Sequence, residues 1–109
     1  MNLFEEIPIG TVLYGVHESY YYEGGSSCPK PEYVIAEEVV KFHYEHKYKE
    51  VMTSDGRTPR EYRAKDIGTN VFLTREEAVA KAEKMADAYD RKWMKHDKKP
   101  MRRPWRTDQ

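Results

Sequence analysis

The stretch "VFLTREEA", residues 71–78, constrains the fold more than any other part of this chain, because it dictates where a strand must stop and a helix must begin. Val71, Phe72 and Leu73 form a short apolar run after "DIGTN", in which Gly68 relieves the backbone. Thr74 then stands where an N-cap belongs, and Glu77 follows three residues later. That is the capping-box pattern: the threonine oxygen accepts from the amide three residues on, and the glutamate reaches back to the amide of Thr74. Leu73 and Ala78 occupy the two positions of a hydrophobic staple, and Glu76 and Glu77 favour the positive end of a helix dipole. Beyond the cap, Ala78, Ala82, Met85, Ala86, Tyr89 and Trp93 recur at three- and four-residue steps. This stripe predicts a helix from Arg75 to about His96, its C-terminal end loaded with lysines and stopped by Pro100. Every residue of the junction has a structural role, so no catalytic role is needed to explain it.

Upstream, β-branched and aromatic residues dominate. "TVLYGVHE" predicts a first strand over residues 11–18, and "SYYYEGGSSCPKP" predicts a loop, since its glycines and prolines oppose ladder hydrogen bonding. From Glu32, the residues Val34, Ala36, Val40, Phe42 and Tyr44 share one parity, while Lys41, His43 and Glu45 take the other. A continuous strand would bury the first set and wet the second, and the β-branched and aromatic density favours it over the helix that Glu, Ala and Lys also allow. "EHK" predicts a turn, "SDGR" a hairpin and "REYRAK" a further strand. The fold class expected is α+β: a small antiparallel β-meander or SH3-like barrel of four to five strands, covered by one long C-terminal helix. One domain over residues 1–97 and a basic extended tail over 98–109 are the expected organisation.

Charge is unevenly spread along a chain whose formal net charge is zero. Residues 1–50 hold nine acids against four lysines, whereas residues 91–109 hold eight bases against Asp97 and Asp108. No apolar run approaches the roughly 18 residues of a membrane span, and "MNLFEEIPIG" is acidic where a signal peptide is basic. With Cys28 as the only cysteine, no intrachain disulfide is possible and a cytoplasmic protein is expected.

The segment "IG-x-x-VFLTREEA", preceded by strands that open with "GTVLYGV" and by a lone Cys28-Pro29 in the first loop, resembles small uncharacterised proteins of phages and mobile elements of Gram-positive bacteria. The resemblance spans about residues 9–90 and implies a sheet-plus-helix protein acting in the bacterial host cytoplasm, without implying an activity. The chain departs from that pattern in "DRKWMKHDKKPMRRPWRTDQ", which continues past the helix stripe.

Candidate chemistry narrows to surfaces. His43 and His46 differ in parity, and no Cys-x-x-Cys or His-x-x-x-His pair exists, so no metal site and no cofactor are expected. Cys28 has no histidine placed beside it, and "EGGSSC" lacks the lysine of a phosphate loop, so catalytic residues are not expected and neither is an enzyme. Two surfaces remain. Tyr20, Tyr21, Tyr22, Glu23 and Tyr33, among Glu5, Glu6, Glu18, Glu32, Glu37 and Glu38, form an acidic, tyrosine-rich set suited to docking on a basic host or phage protein. Taken with the resemblance, this points to a phage-type accessory protein that binds another protein, an inhibitor of a host defence nuclease of the anti-CRISPR kind being one form. The alternative is nucleic-acid binding by the tail through Lys95, Lys98, Lys99, Arg102, Arg103, Trp105 and Arg106, which interleaves bases with an aromatic ring. The apolar surplus around Tyr89, Trp93 and Met94 suggests a homodimer paired through the helix.

Overall fold

The computed structural model describes residues 2–25, 27–97 and 99–106, with the backbone alone at 95–97. A short helix α1 (Leu3–Glu6) leads into β1 (Val12–Tyr21), β2 (Lys30–Glu45), β3 (Lys49–Ser54), β4 (Pro59–Tyr62) and β5 (Val71–Phe72), followed by the long helix α2 (Arg75–Asp97). The five strands make one antiparallel sheet in the order β4-β3-β2-β1-β5. The sheet is open, with β4 and β5 at its edges, so the meander form of the expected α+β fold is realised and barrel closure is not.

Its two faces bury different cores. On one, α1 covers Leu13, Val40, Val51, Tyr62 and Val71 with Leu3 and Ile7, and Phe4 and Ile67 pack around them. On the other lies α2. Ala78, Ala82 and Ala86 are fully buried, since a methyl group lets the helix backbone come close to the sheet, and Val16, Tyr33 and Ile35 pack beneath. The junction that predicted this helix is built by hydrogen bonds. The Thr74 oxygen accepts from the Glu77 amide at 3.3 Å, and the Glu77 carboxylate accepts from the Thr74 hydroxyl at 2.8 Å. Leu73 is exposed, while Ala78 is fully buried. Ahead of the junction Gly68, at φ +88°, donates to the Val71 carbonyl at 2.7 Å, a turn that a side chain would strain.

Three expectations are corrected. Tyr20 and Tyr21 belong to β1 rather than to a loop, and Pro31 is tolerated because it falls where β2 begins. "REYRAK" leaves the sheet at Tyr62 and turns through a 3-10 helix at Ala64–Asp66. The parity of β2 also breaks. A register shift between Val40 and Phe42 pairs Val40 with Thr53 but Phe42 with Met52, so one residue, Lys41, is extra. Val40 stays in the α1-side core while Phe42 and Tyr44 swing to the α2 side and into solvent, and His43 takes the inward place. There its Nε2 lies 2.7 Å from the Ile7 carbonyl and its ring stacks on Phe4 at 4.5 Å.

Candidate functional site

The expected docking residues gather at one end of the β1–β2 pair. Register places Tyr21 opposite Lys30 and Tyr20 opposite Pro31, so the hairpin end is held by ten continuous pairs. Tyr20 is 60 % exposed and Tyr22 67 %, whereas Tyr33 is half-buried beneath α2. The Tyr20 hydroxyl donates to the Glu18 carboxylate, which pushes that phenol's pKa up; the nearby phenols of Tyr33 and Tyr89 add to the shift. Burial pushes the Tyr33 phenol up. Glu23 pairs with Lys30 at 3.2 Å, and that contact holds its carboxyl below the ordinary value, with Lys99 and Arg102 contributing from the C-terminal segment. Not all of the expected acidic surface is surface. Glu32 and Glu38 are buried, because adjacent residues of a strand face opposite ways and the pair Glu37-Glu38 must send one inward.

The basic segment does not extend into solvent over its described part. Residues 101–106 fold back across α2, burying Met101 and Trp105 against Ala82 and Ala86, and end in a 3-10 turn at Pro104–Arg106. Glu83 is the clasp. It accepts from Trp105 Nε1 at 2.7 Å, from Arg103 Nη1 at 3.2 Å, and from Arg106 through Nε and Nη2 at 2.6 Å each. The Arg106 contact, foremost, holds the Glu83 carboxyl below its ordinary value, and Glu83 in turn raises the Arg106 guanidinium. Arg103, with only 13 % of its side chain exposed, also meets Asp90 at 2.6 Å and Asp87 at 3.0 Å. The Asp90 carboxylate accepts from the Met101 amide at 2.8 Å, and Arg75 Nη2 donates to the Trp105 carbonyl at 3.0 Å. Arg102 reaches the tyrosine end, its guanidinium 4.0 Å above the Tyr21 ring and 3.6 Å from Glu32. Lys99 is exposed. Lys98 and the Lys95 side chain lie outside the described residues.

Two further places carry functional groups that the sequence reading missed. The first is a carboxylate inside the α1-side core. Glu38, fully buried, lies 2.8 Å from His17 Nε2 and accepts from the Thr53 and Tyr62 hydroxyls at 2.8 Å each, with Arg60 Nη1 3.7 Å away. Burial pushes its pKa up, but the hydrogen bonds from His17, Tyr62 and Thr53 outweigh that and hold it below the ordinary value. Burial and then the Glu38 carboxylate push the Tyr62 phenol well above its own. Gly15 makes the arrangement possible: a Cβ there would stand 2.0 Å from Glu38 Oε2 and 2.4 Å from His17 Nε2. The cluster satisfies a carboxylate held inside the core.

The second place is a groove of about 600 Å³ on the α2 side of the sheet, beyond the helix, lined by Phe42, His43, Tyr44, His46, Met52 and Glu61. Phe42 is 65 % exposed and Tyr44 55 %. Another groove, of about 450 Å³, runs beside Tyr14, Ile35, Arg75 and Trp105 where the C-terminal return meets the sheet. At the far end of α2, Trp93 and Met94 are exposed, with the Trp93 ring 6.3 Å from Tyr89. Among the described residues no group of three His, Cys, Asp or Glu side chains could hold a metal ion, and no helix is long and apolar enough to cross a membrane.

Comparison with models of protein families, with curated proteins and with solved structures finds no match to this chain.

Proposed function

We propose that this chain is a non-enzymatic protein-binding module of the phage accessory kind, docking on a basic partner through the tyrosine-rich end of β1 and β2. The observation that carries this reading is the exposure of Tyr20, at 60 % on a strand end fixed by ten pairs, and of Tyr22, at 67 % one residue beyond it. Tyrosines on a rigid element offer large contact area at small entropic cost, and Glu18 beside Tyr20 favours a basic surface. A nuclease's nucleic-acid groove is such a surface, and the resemblance to phage proteins adds the narrower reading of a host-nuclease inhibitor.

Nucleic-acid binding by the C-terminal segment is the second reading. Against it stands the clasp: phosphates would have to displace Glu83 and Asp90 from Arg103 and Arg106, which already hold charge-assisted bonds of 2.6 Å. Pairing of two copies through Trp93 and Met94 would show as a dimer in gel filtration at dilute concentration.

The test is capture from a bacterial host lysate, with and without nuclease treatment, comparing the wild-type chain with a Tyr20→Ala/Tyr22→Ala variant whose circular dichroism is unchanged. The expected result is a protein retained after nuclease treatment and lost with the variant. Capture that disappears on nuclease treatment, and falls steeply with salt, would transfer the function to the basic segment.

A further inference from the structure

We propose that the groove beside the β2 bulge is a second binding site, separate from the tyrosine end, which takes the guanidinium of an arginine side chain from a partner peptide. The pairing register builds it. Phe42 is opposite Met52 and Met52 is opposite Glu61, so an aromatic ring, a thioether and a carboxylate make one row across β2, β3 and β4. Tyr44 stands two residues along β2 on the same face and forms the second aromatic wall. A cation over aromatic faces with a carboxylate at one end is attracted by both the ring quadrupoles and the charge, and a planar guanidinium can stack and donate at once.

The chain itself uses this combination twice. The Arg63 guanidinium lies 3.9 Å above the Tyr48 ring and 4.0 Å from Glu50. Arg102 lies 4.0 Å above Tyr21 and 3.6 Å from Glu32. The groove repeats the pattern of aromatic ring and carboxylate, yet among the described residues no cation sits over Phe42 or Tyr44, and neither lysine nor arginine lines the groove. Elsewhere on the sheet Arg63 and Lys47 lie over Tyr48, and Lys49 lies over Phe4. His46, at the rim, is held 3.1 Å from Glu50 with its ring edge-on to Tyr44 at 4.8 Å. Charge complementarity with the Glu61 carboxylate points to a partner that supplies an arginine.

The experiment is an amide chemical-shift titration of the intact chain at low ionic strength with three peptides, Gly-Ser-X-Ser-Gly, where X is arginine, its neutral isostere citrulline, or leucine. Expected are shifts confined to Phe42–Tyr44, Met52 and Glu61 with the arginine peptide, and binding about five-fold weaker with citrulline. Phe42→Ala and Glu61→Gln, both at exposed positions, should each weaken arginine binding about five-fold while leaving the rest of the spectrum in place. Equal or tighter binding of the citrulline or leucine peptide would make this an apolar groove and overturn the proposal. So would shifts centred on Tyr20–Tyr22, no shifts at saturating peptide, or a dimer in sedimentation that Phe42→Ala dissolves, since a second copy would then be the occupant.

Discussion

The two faces of this sheet are closed by opposite means. The α1 side is sealed around a charge: Leu3, Ile7, Leu13, Val40, Val51 and Val71 surround a carboxylate that His17, Thr53 and Tyr62 satisfy. The α2 side is closed by small apolar contacts and a charged clasp at its outer edge, and it is closed only in part. The helix packs on β1, β2 and β5, while Phe42, Tyr44 and Met52 continue the same face beyond it. A buried carboxylate tolerates little change, because each hydrogen bond compensates a desolvation penalty that would otherwise stand alone. A face assembled from alanines and a returning chain end degrades by degrees, and its open part is free to serve recognition.

The largest effect should follow from Gly15→Ala. The added methyl group would stand 2.0 Å from Glu38 Oε2 and 2.4 Å from His17 Nε2, so these side-chain ends must shift and their 2.8 Å contact is disrupted. A loss of about 4 kcal/mol in urea unfolding is expected, from overpacking together with a displaced buried charge. A loss below about 1 kcal/mol would show that the polar centre is plastic, and the contrast between the faces would break.

Trp105→Ala comes next. Its ring is buried with Met101, Ala82 and Ala86, and its Nε1 donates to Glu83, so truncation should cost about 3 kcal/mol by the same measurement. A neutral result would mean that the C-terminal return is dispensable to the domain. The same geometry warns against removing residues 99–106 to test nucleic-acid binding, because the deletion would take away core as well as charge.

The sequence was most legible where one local mechanism decides the structure. Thr74 and Glu77 announce the start of α2, and the alanine stripe fixes its buried side, because capping and helical period act within a few residues. Asp55 likewise builds the expected hairpin, its Oδ1 accepting from the Arg57 and Thr58 amides at 2.9 and 2.8 Å. What escaped was non-local. No residue type marks the bulge at Lys41, which depends on Val40 and Phe42 pairing out of step with β3, and one added residue reverses every side chain after it. The fold-back of residues 101–106 was equally hidden: its proline-rich, basic composition reads as tail until Glu83 and Asp90 are seen opposite it. Of the candidate sites, the tyrosine cluster was visible as composition, while the Glu38 centre needed Glu38, His17, Thr53 and Tyr62 to be brought together from four strands.

The smallest effect bears on the open half of the α2 face. Phe42→Ala removes a ring that is 65 % exposed and has no part in either core, so stability should change by less than about 0.5 kcal/mol. Phenylalanine in that position exposes apolar surface to water without strengthening the fold, and one extra residue in β2 is what holds it there. A near-zero change in urea unfolding, paired with loss of arginine-peptide binding, would separate recognition from stability on this part of the sheet. A cost above about 2 kcal/mol would mean that the ring packs on Met52 as core, and that the α2 side is closed along its whole length.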